Sequence, residues 1–108
     1  EAPVVSLTAA PLADRLLRLS LDKCTLTPRA VAALAAGFAG GVLGELSLGY
    51  NPGITAAGVE PLLRADALPG LRVLNVAGCS LPASTVTALL RSPLGRRLAR
   101  LQLWGNEY

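Results

Sequence analysis

Apolar residues recur along this chain at a fixed spacing. Leu16, Leu19, Leu21, Cys24 and Leu26 spell LxxLxLxxCxL. Leu43, Leu46, Leu48 and Asn51 give LxxLxLxxN, with Ile54 one position later than the first copy would place it. Leu71, Leu74, Val76, Cys79 and Leu81 restore the first spacing, and Leu98, Leu101, Leu103 and Asn106 open a fourth copy. The intervals from Leu19 to Leu46, Leu74 and Leu101 are 27, 28 and 27 residues, the extra residue falling at Pro52–Gly53. In each copy the alternating leucines give one face of a short strand its apolar side chains and leave the residues between them for the other face. Strands are therefore predicted to centre on 18–22, 45–49, 73–77 and 100–104.

The second half of each copy keeps the same register. Val31, Val59 and Val86 lie 12 residues before the next opening leucine, and Leu34, Leu62 and Leu89 lie 9 before it. This apolar spacing is helical. Thr27–Pro28 reads as a cap followed by a first-turn proline, and Thr55 is placed to cap the next helix. Pro61 removes a helical hydrogen bond, so the second helix is predicted to be short or kinked unless it starts late, near Gly58. Gly37 and Gly40–Gly41 read as a loop from helix to strand. Counting back from Leu16 puts Val4 and Leu7 in the back half of an earlier repeat. One strand and one helix cannot bury their apolar faces alone, whereas stacked copies can. The whole chain, 1–108, is then one α/β solenoid domain of about three to four repeats: a partial repeat at 1–15, repeats at 16–42, 43–70 and 71–97, and a partial repeat at 98–108. Neither end shows a polar cap, so a portion of a longer array, or a small subunit with covered ends, is expected.

The LxxLxLxx(C/N)xL pattern over nearly the whole chain resembles the leucine-rich-repeat family, in particular its ribonuclease-inhibitor-like class with repeats of 27–28 residues. That resemblance implies a right-handed βα superhelix with parallel strands on a concave face and helices on a convex one. It also implies partner binding, usually through the concave face. The class includes a ribonuclease inhibitor, Ran-type GTPase activators, NLR sensor domains, ubiquitin-ligase adaptors and scaffold subunits.

Composition supports a buried, aliphatic core: 52% of residues are hydrophobic, 16% charged and only 4% aromatic. The net charge of +3 is a mild bias. Arg91, Arg96, Arg97 and Arg100 form a loose basic cluster, readable as contact with an acidic or RNA partner or as solvated helix ends placed favourably for the helix dipole. No apolar run is long enough to cross a bilayer, and no signal peptide is evident.

Cys24, Asn51, Cys79 and Asn106 share one repeat position, where a side chain turning inward satisfies backbone groups of the adjacent loop. Cys24 and Cys79 are two strands apart, roughly 10 Å at ~4.8 Å per strand, beyond the ~7 Å that a disulfide spans. Two buried free thiols fit a reducing, intracellular setting, and two cysteines without histidine do not make a zinc site. Histidine is absent, and no phosphate-loop or dinucleotide fingerprint occurs. Asp14, Asp22, Glu45, Glu60 and Asp66 form no recognisable catalytic pair. No enzyme activity, cofactor, metal or small-molecule ligand is expected.

Between the leucines, the face residues align as ladders: Arg18, Glu45, Val73, Arg100; Ser20, Ser47, Asn75, Gln102; Asp22, Gly49, Ala77, Trp104. Trp104, Tyr50 and Arg100 lead the candidates for partner contact, with Arg18, Glu45, Asp22, Asn75 and Gln102 around them, because Trp, Tyr and Arg dominate binding hot spots. Trp104 covering an exposed terminal strand is the competing reading. The function expected is a protein–protein interaction module or scaffold within an intracellular assembly. The alternatives are a regulatory part of an enzyme system (a Ran-type GTPase activator or a ubiquitin-ligase adaptor) and an RNA-contacting ribonucleoprotein subunit.

Overall fold

A computed structural model describes residues 17–37, 43–63 and 68–106. The expected half-repeat at 1–15, the Gly40–Gly41 loop and the positions of Arg64 and Asp66 lie outside them. Four strands, β1 (Arg18–Ser20), β2 (Glu45–Ser47), β3 (Val73–Asn75) and β4 (Arg100–Gln102), form one parallel sheet in the order β1-β2-β3-β4. Helix α1 (Pro28–Gly37) follows β1. After β2 come α2 (Thr55–Val59) and a 3₁₀ turn (Glu60–Leu63), and after β3 come α3 (Ala83–Arg91) and α4 (Pro93–Arg97).

The registers follow the ladders read from the sequence: Arg18 pairs Glu45, Glu45 pairs Val73 and Val73 pairs Arg100. The strands proper are three residues long, shorter than the five-residue segments expected. Inter-repeat bonding nevertheless continues past them, from Leu21 and Lys23 N–H to the Ser47 and Gly49 carbonyls, and from Leu48 and Tyr50 N–H to those of Asn75 and Ala77. The backbone then turns left-handed at one repeat position, with φ of 56° at Lys23, 59° at Tyr50, 65° at Gly78 and 78° at Gly105. That turn ends the extended run and starts the chain back toward the helices.

The core lies between the leucine side of the sheet and the helices. Leu46, Leu48, Leu74 and Val76 join Val31, Leu34, Val59, Leu62, Val86 and Leu89 in one buried cluster. Thr27 caps α1 by accepting from the Ala30 N–H at 3.3 Å. Gly37, read as loop, is the last residue of that helix. Thr55 does not cap α2: its hydroxyl donates to the Ile54 carbonyl at 2.6 Å, and its N–H is held instead by the Cys79 carbonyl of the next repeat. The helix starts there rather than near Gly58. Pro61 has its predicted effect, because the missing N–H and the ring crowding tighten the chain into the 3₁₀ turn. The sequence reading did not foresee the break at Ser92. Its hydroxyl donates to the Leu89 carbonyl closing α3 and accepts from Gly95 N–H opening α4, with Pro93 in the first turn.

The shared Asn/Cys position works as a staple between repeats. The Asn51 carboxamide is fully buried. Its oxygen accepts from Cys24 N–H (2.9 Å) and Leu26 N–H (3.1 Å), and its nitrogen donates to the carbonyls of Leu21 (3.0 Å) and Leu48 (2.8 Å). Asn106 repeats this with Cys79 and Leu81 N–H and the carbonyls of Val76 and Leu103. Cys79 is buried and donates to the Leu48 carbonyl at 3.1 Å. Cys24 departs from the expected burial: it is exposed, and its thiol reaches only the carbonyl of Asp22. Among the described residues β1 has a neighbouring strand on one side only, and none of them supplies Cys24 with the carbonyl that Leu48 offers Cys79. Both cysteines are free thiols.

Removing the Asn51 staple in Asn51→Ala strands buried N–H and carbonyl groups, and is expected to cost about 3 kcal/mol in urea unfolding. Cys79→Ala is expected to cost about 1–3 kcal/mol, and exposed Cys24→Ala less than ~0.5 kcal/mol. Burial pushes the Cys79 thiol pKa above its ordinary 9.0, the Asn51 N–H opposing and the Asp22 charge adding to the rise. The native state therefore holds this proton more tightly than the unfolded chain. The resulting stabilisation is complete below the ordinary value and is lost as pH rises through the folded one. The stability gap between the parent chain and Cys79→Ala should accordingly shrink between neutral pH and pH above 9.0. A gap unchanged over that range would contradict the burial argument.

Candidate functional site

The face of the sheet turned away from the core carries the residues between the leucines. Arg18, Glu45, Val73, Asn75, Arg100 and Gln102 line an open hollow of about 470 Å³ across all four strands. In its upper row Arg18 Nε lies 3.4 Å from Glu45 Oε2, with both side chains well exposed. Such a pair contributes little energy. Its consequence is that Glu45 is matched within the face by Arg18 rather than by Arg100. The Arg100 guanidinium is exposed and has no acidic partner among the described residues.

The middle of the face is a hydrogen-bonded relay. Ser47 Oγ donates to Asp22 Oδ1 at 2.6 Å and accepts from Asn75 Nδ2 at 3.1 Å. Asp22 Oδ1 also accepts from Gly49 N–H, and Asn75 Oδ1 accepts from Ala77 N–H, each at 2.9 Å. A Cβ at Gly49 would stand 3.2 Å from Asn75 Nδ2 and 3.4 Å from Asp22 Oδ1, so the bare backbone there lets both side chains close in. Asp22 and Asn75, singled out as contact residues, thus each have a task within the chain: they hold the ends of the strands.

At the turn edge of this face, Trp104 is 56% and Tyr50 40% exposed. Their rings form an edge-to-face pair with centroids 5.4 Å apart and planes at 68°, a preferred aromatic geometry. Lys23 Nζ lies 5.7 Å from the Tyr50 centroid, within cation–π range. Gly78, in the left-handed turn, leaves room for the tyrosine: a Cβ there would come within 2.9 Å of Tyr50 Cδ1. The ladder sets Gly49 and Ala77 beside Trp104; the ring it meets is Tyr50, one position further on. Sequence reasoning missed Lys23 and Gly78, and placed Ser47 on the face without a role. The signal for both was available, since Lys23, Tyr50, Gly78 and Gly105 form one more ladder beyond the last one read.

The C-terminal arginines do not gather on one surface. Arg100 lines the hollow, whereas Arg91, Arg96 and Arg97 occupy the last turns of α3 and α4. Arg97 also donates to the Leu68 carbonyl at 3.0 Å. Among the described residues no group of three or more His, Cys, Asp and Glu side chains is placed to hold a metal ion, and no helix is long and apolar enough to cross a membrane.

A four-stranded parallel sheet backed by helices, with leucines lining the interface, is a leucine-rich-repeat-like α/β fold. Among solved structures it is similar to the tropomodulin C-terminal domain from Caenorhabditis elegans, with a TM-score of 0.78 at 18% sequence identity. The match covers 95% of this chain and 65% of that one, so the chain spans somewhat less than two thirds of its neighbour's length. No model of a protein family matches the sequence, and no curated protein matches it. These findings correct the resemblance drawn from the repeats. The structural match is to a tropomodulin domain, and nothing assigns the chain to the ribonuclease-inhibitor-like class. The repeat pattern reports the leucine-lined architecture and not the class.

The aromatic edge has its own test. Gly78→Ala places a Cβ against Tyr50 and forces a non-glycine residue into a left-handed turn. It is expected to cost roughly 1–2 kcal/mol and to change the emission of Trp104, the only tryptophan, as its partner ring moves. An unchanged emission spectrum would show that Gly78 does not position the pair.

Proposed function

We propose that the chain is a protein-binding module that presents the polar face of its sheet and the Trp104–Tyr50 edge to a partner within an intracellular assembly, with no catalysis of its own. The observation that carries this reading is the aromatic pair, held by intramolecular contacts yet left open to solvent beside the hollow. Large rings exposed together on a polar face favour association, because covering them recovers apolar area and little side-chain freedom remains to be lost. The hollow beside them supplies hydrogen-bonding groups at its floor and charge at its rim, the division of roles expected of an interface. The two free thiols fit a reducing compartment. We read the chain as successive repeats of 27–28 residues forming a short solenoid, so that the binding face continues from one repeat to the next.

Site-directed photocrosslinking in the native source tests this. A photoreactive side chain at Gln102, on the face, is expected to capture a protein partner, whereas one at Ser84, exposed on α3, is not. Trp104→Ala and Tyr50→Ala should each weaken that capture by about thirty-fold, with the melting transition nearly unchanged. Crosslinks arising from Ser84 alone would move the interface to the helices and end this reading.

A further inference from the structure

We propose that the occupant of this face is an extended acidic peptide segment, with a carboxylate on Arg100 and an aromatic or aliphatic side chain on the Trp104–Tyr50 edge. The inference rests on the reading of the face as a protein-binding surface and adds the chemistry of the partner.

The charge balance of the face is its main support. Glu45 is matched by Arg18, and Asp22 already holds Ser47 and Gly49 through Oδ1. The cations of the face with no acidic partner among the described residues are Arg100, at one end of β4, and Lys23, beside the Tyr50 ring. Among the described residues the face carries three cations, Arg18, Lys23 and Arg100, against the carboxylates of Glu45 and Asp22, an excess of one positive charge, and Arg100 is the guanidinium left without a carboxylate. A carboxylate meeting the planar guanidinium of Arg100 forms a charge-assisted, bidentate pair.

Spacing gives the second constraint. Arg100 and Trp104 are four residues apart along β4 and its turn, about 13 Å at ~3.3 Å per residue. A peptide lying extended beside them has the same rise. Its residues i and i+4 are separated by that distance and point the same way, because side chains of an extended chain alternate. An acidic residue followed or preceded four positions away by an apolar one therefore matches both anchors. The Gln102 amide lies between them and the hollow takes the intervening side chains.

A single-stranded nucleic acid would also use cations and aromatic rings. The face fits it less well. Phosphate binding draws on many cations, and among the described residues of the face only Lys23 and Arg100 lack an acidic partner. The Glu45 carboxylate lines the same hollow, and Lys23 stands over the Tyr50 ring that would have to stack.

Selection from a display library of random dodecapeptides against the full chain tests the proposal. The expected result is enrichment of acidic sequences carrying an aromatic or aliphatic residue four positions from a carboxylate. A fluorescein-labelled peptide of that kind should lose about thirty-fold in affinity to R100E and to W104A. Its Glu→Lys counterpart should bind R100E better than the parent chain. R91A, at the exposed end of α3, should behave as the parent chain does. Thermal melts of every variant establish that each is folded. Failure to enrich any peptide would overturn the proposal. So would enriched peptides that are neutral or basic, or that R100E binds unchanged. If such peptides still depend on Trp104, the acidic partner falls and the binding face stands; if they depend on neither residue, both fall. Tighter, Trp104-dependent binding of a labelled oligouridine dodecamer would replace the peptide with a nucleic acid.

Discussion

A buried carboxamide must find partners for its oxygen and for both of its N–H bonds, and this requirement ties the repeats of the molecule together. Asn51 meets it by reaching back one repeat, to Leu21, Cys24 and Leu26, and to Leu48 in its own. Those contacts exist only if the turn after one strand lies against the turn after the next in fixed register. The same register puts Leu19 opposite Leu46 and Arg18 opposite Glu45. The leucine core and the polar face are therefore two consequences of one alignment. A slip of one residue would leave the amide unsatisfied and turn every leucine to solvent.

Once the register is fixed, the face side chains are released from packing duty, and the molecule uses them in two ways. The middle row is drawn inward, where Asp22, Ser47 and Asn75 bond to one another and to the backbone of the turns. The upper row and the turn edge stay outward, with Arg100 lining the hollow and Trp104 and Tyr50 open to solvent. The relay thus stiffens the floor on which the outward groups stand. A contact surface built this way loses little side-chain order on binding, which is the cost that most often erodes affinity.

The strands, their parallel order and the ladders were legible in the sequence because period-two alternation and a constant repeat length leave few other arrangements. The 3₁₀ turn at Pro61 was legible because proline acts locally. What escaped was lateral. That Asp22 and Asn75 would serve their own turns depends on side-chain reach across strands, which a linear pattern does not encode. That Cys24 is exposed while Cys79 is buried depends on what lies on either side of the stack, since the two occupy the same repeat position. The double helix at Ser92 hides in a Ser–Pro step that reads equally well as a stop or a start. The assignment to a ribonuclease-inhibitor-like class failed for a related reason: spacing records what a leucine-lined stack needs physically, and that need does not single out one class.

The alternation of Asn and Cys at the staple position follows a division of labour between polar and apolar sealing. The β1–β2 and β3–β4 junctions carry the amides, each bonding two N–H groups and a carbonyl across the junction. At the staple position the β2–β3 junction has the thiol of Cys79 on the Leu48 carbonyl, with Thr55 N–H on the Cys79 carbonyl. Its leucines, however, are the driest: Leu46, Leu48, Leu74 and Val76 are at most 1% exposed, whereas Leu19, Leu21, Leu101 and Leu103 are only partly buried. At the two flanking junctions, where the leucines of β1 and β4 are only partly buried, the directional bonds of an amide add to the hold on the register. At the β2–β3 junction, where the leucines are dry on both strands, the small, weakly polar thiol of Cys79 occupies the staple position. Among the described strands, then, the β2–β3 junction relies more on burial and the two flanking junctions more on side-chain hydrogen bonds, and the β3–β4 junction is the one that carries Arg100 and Trp104.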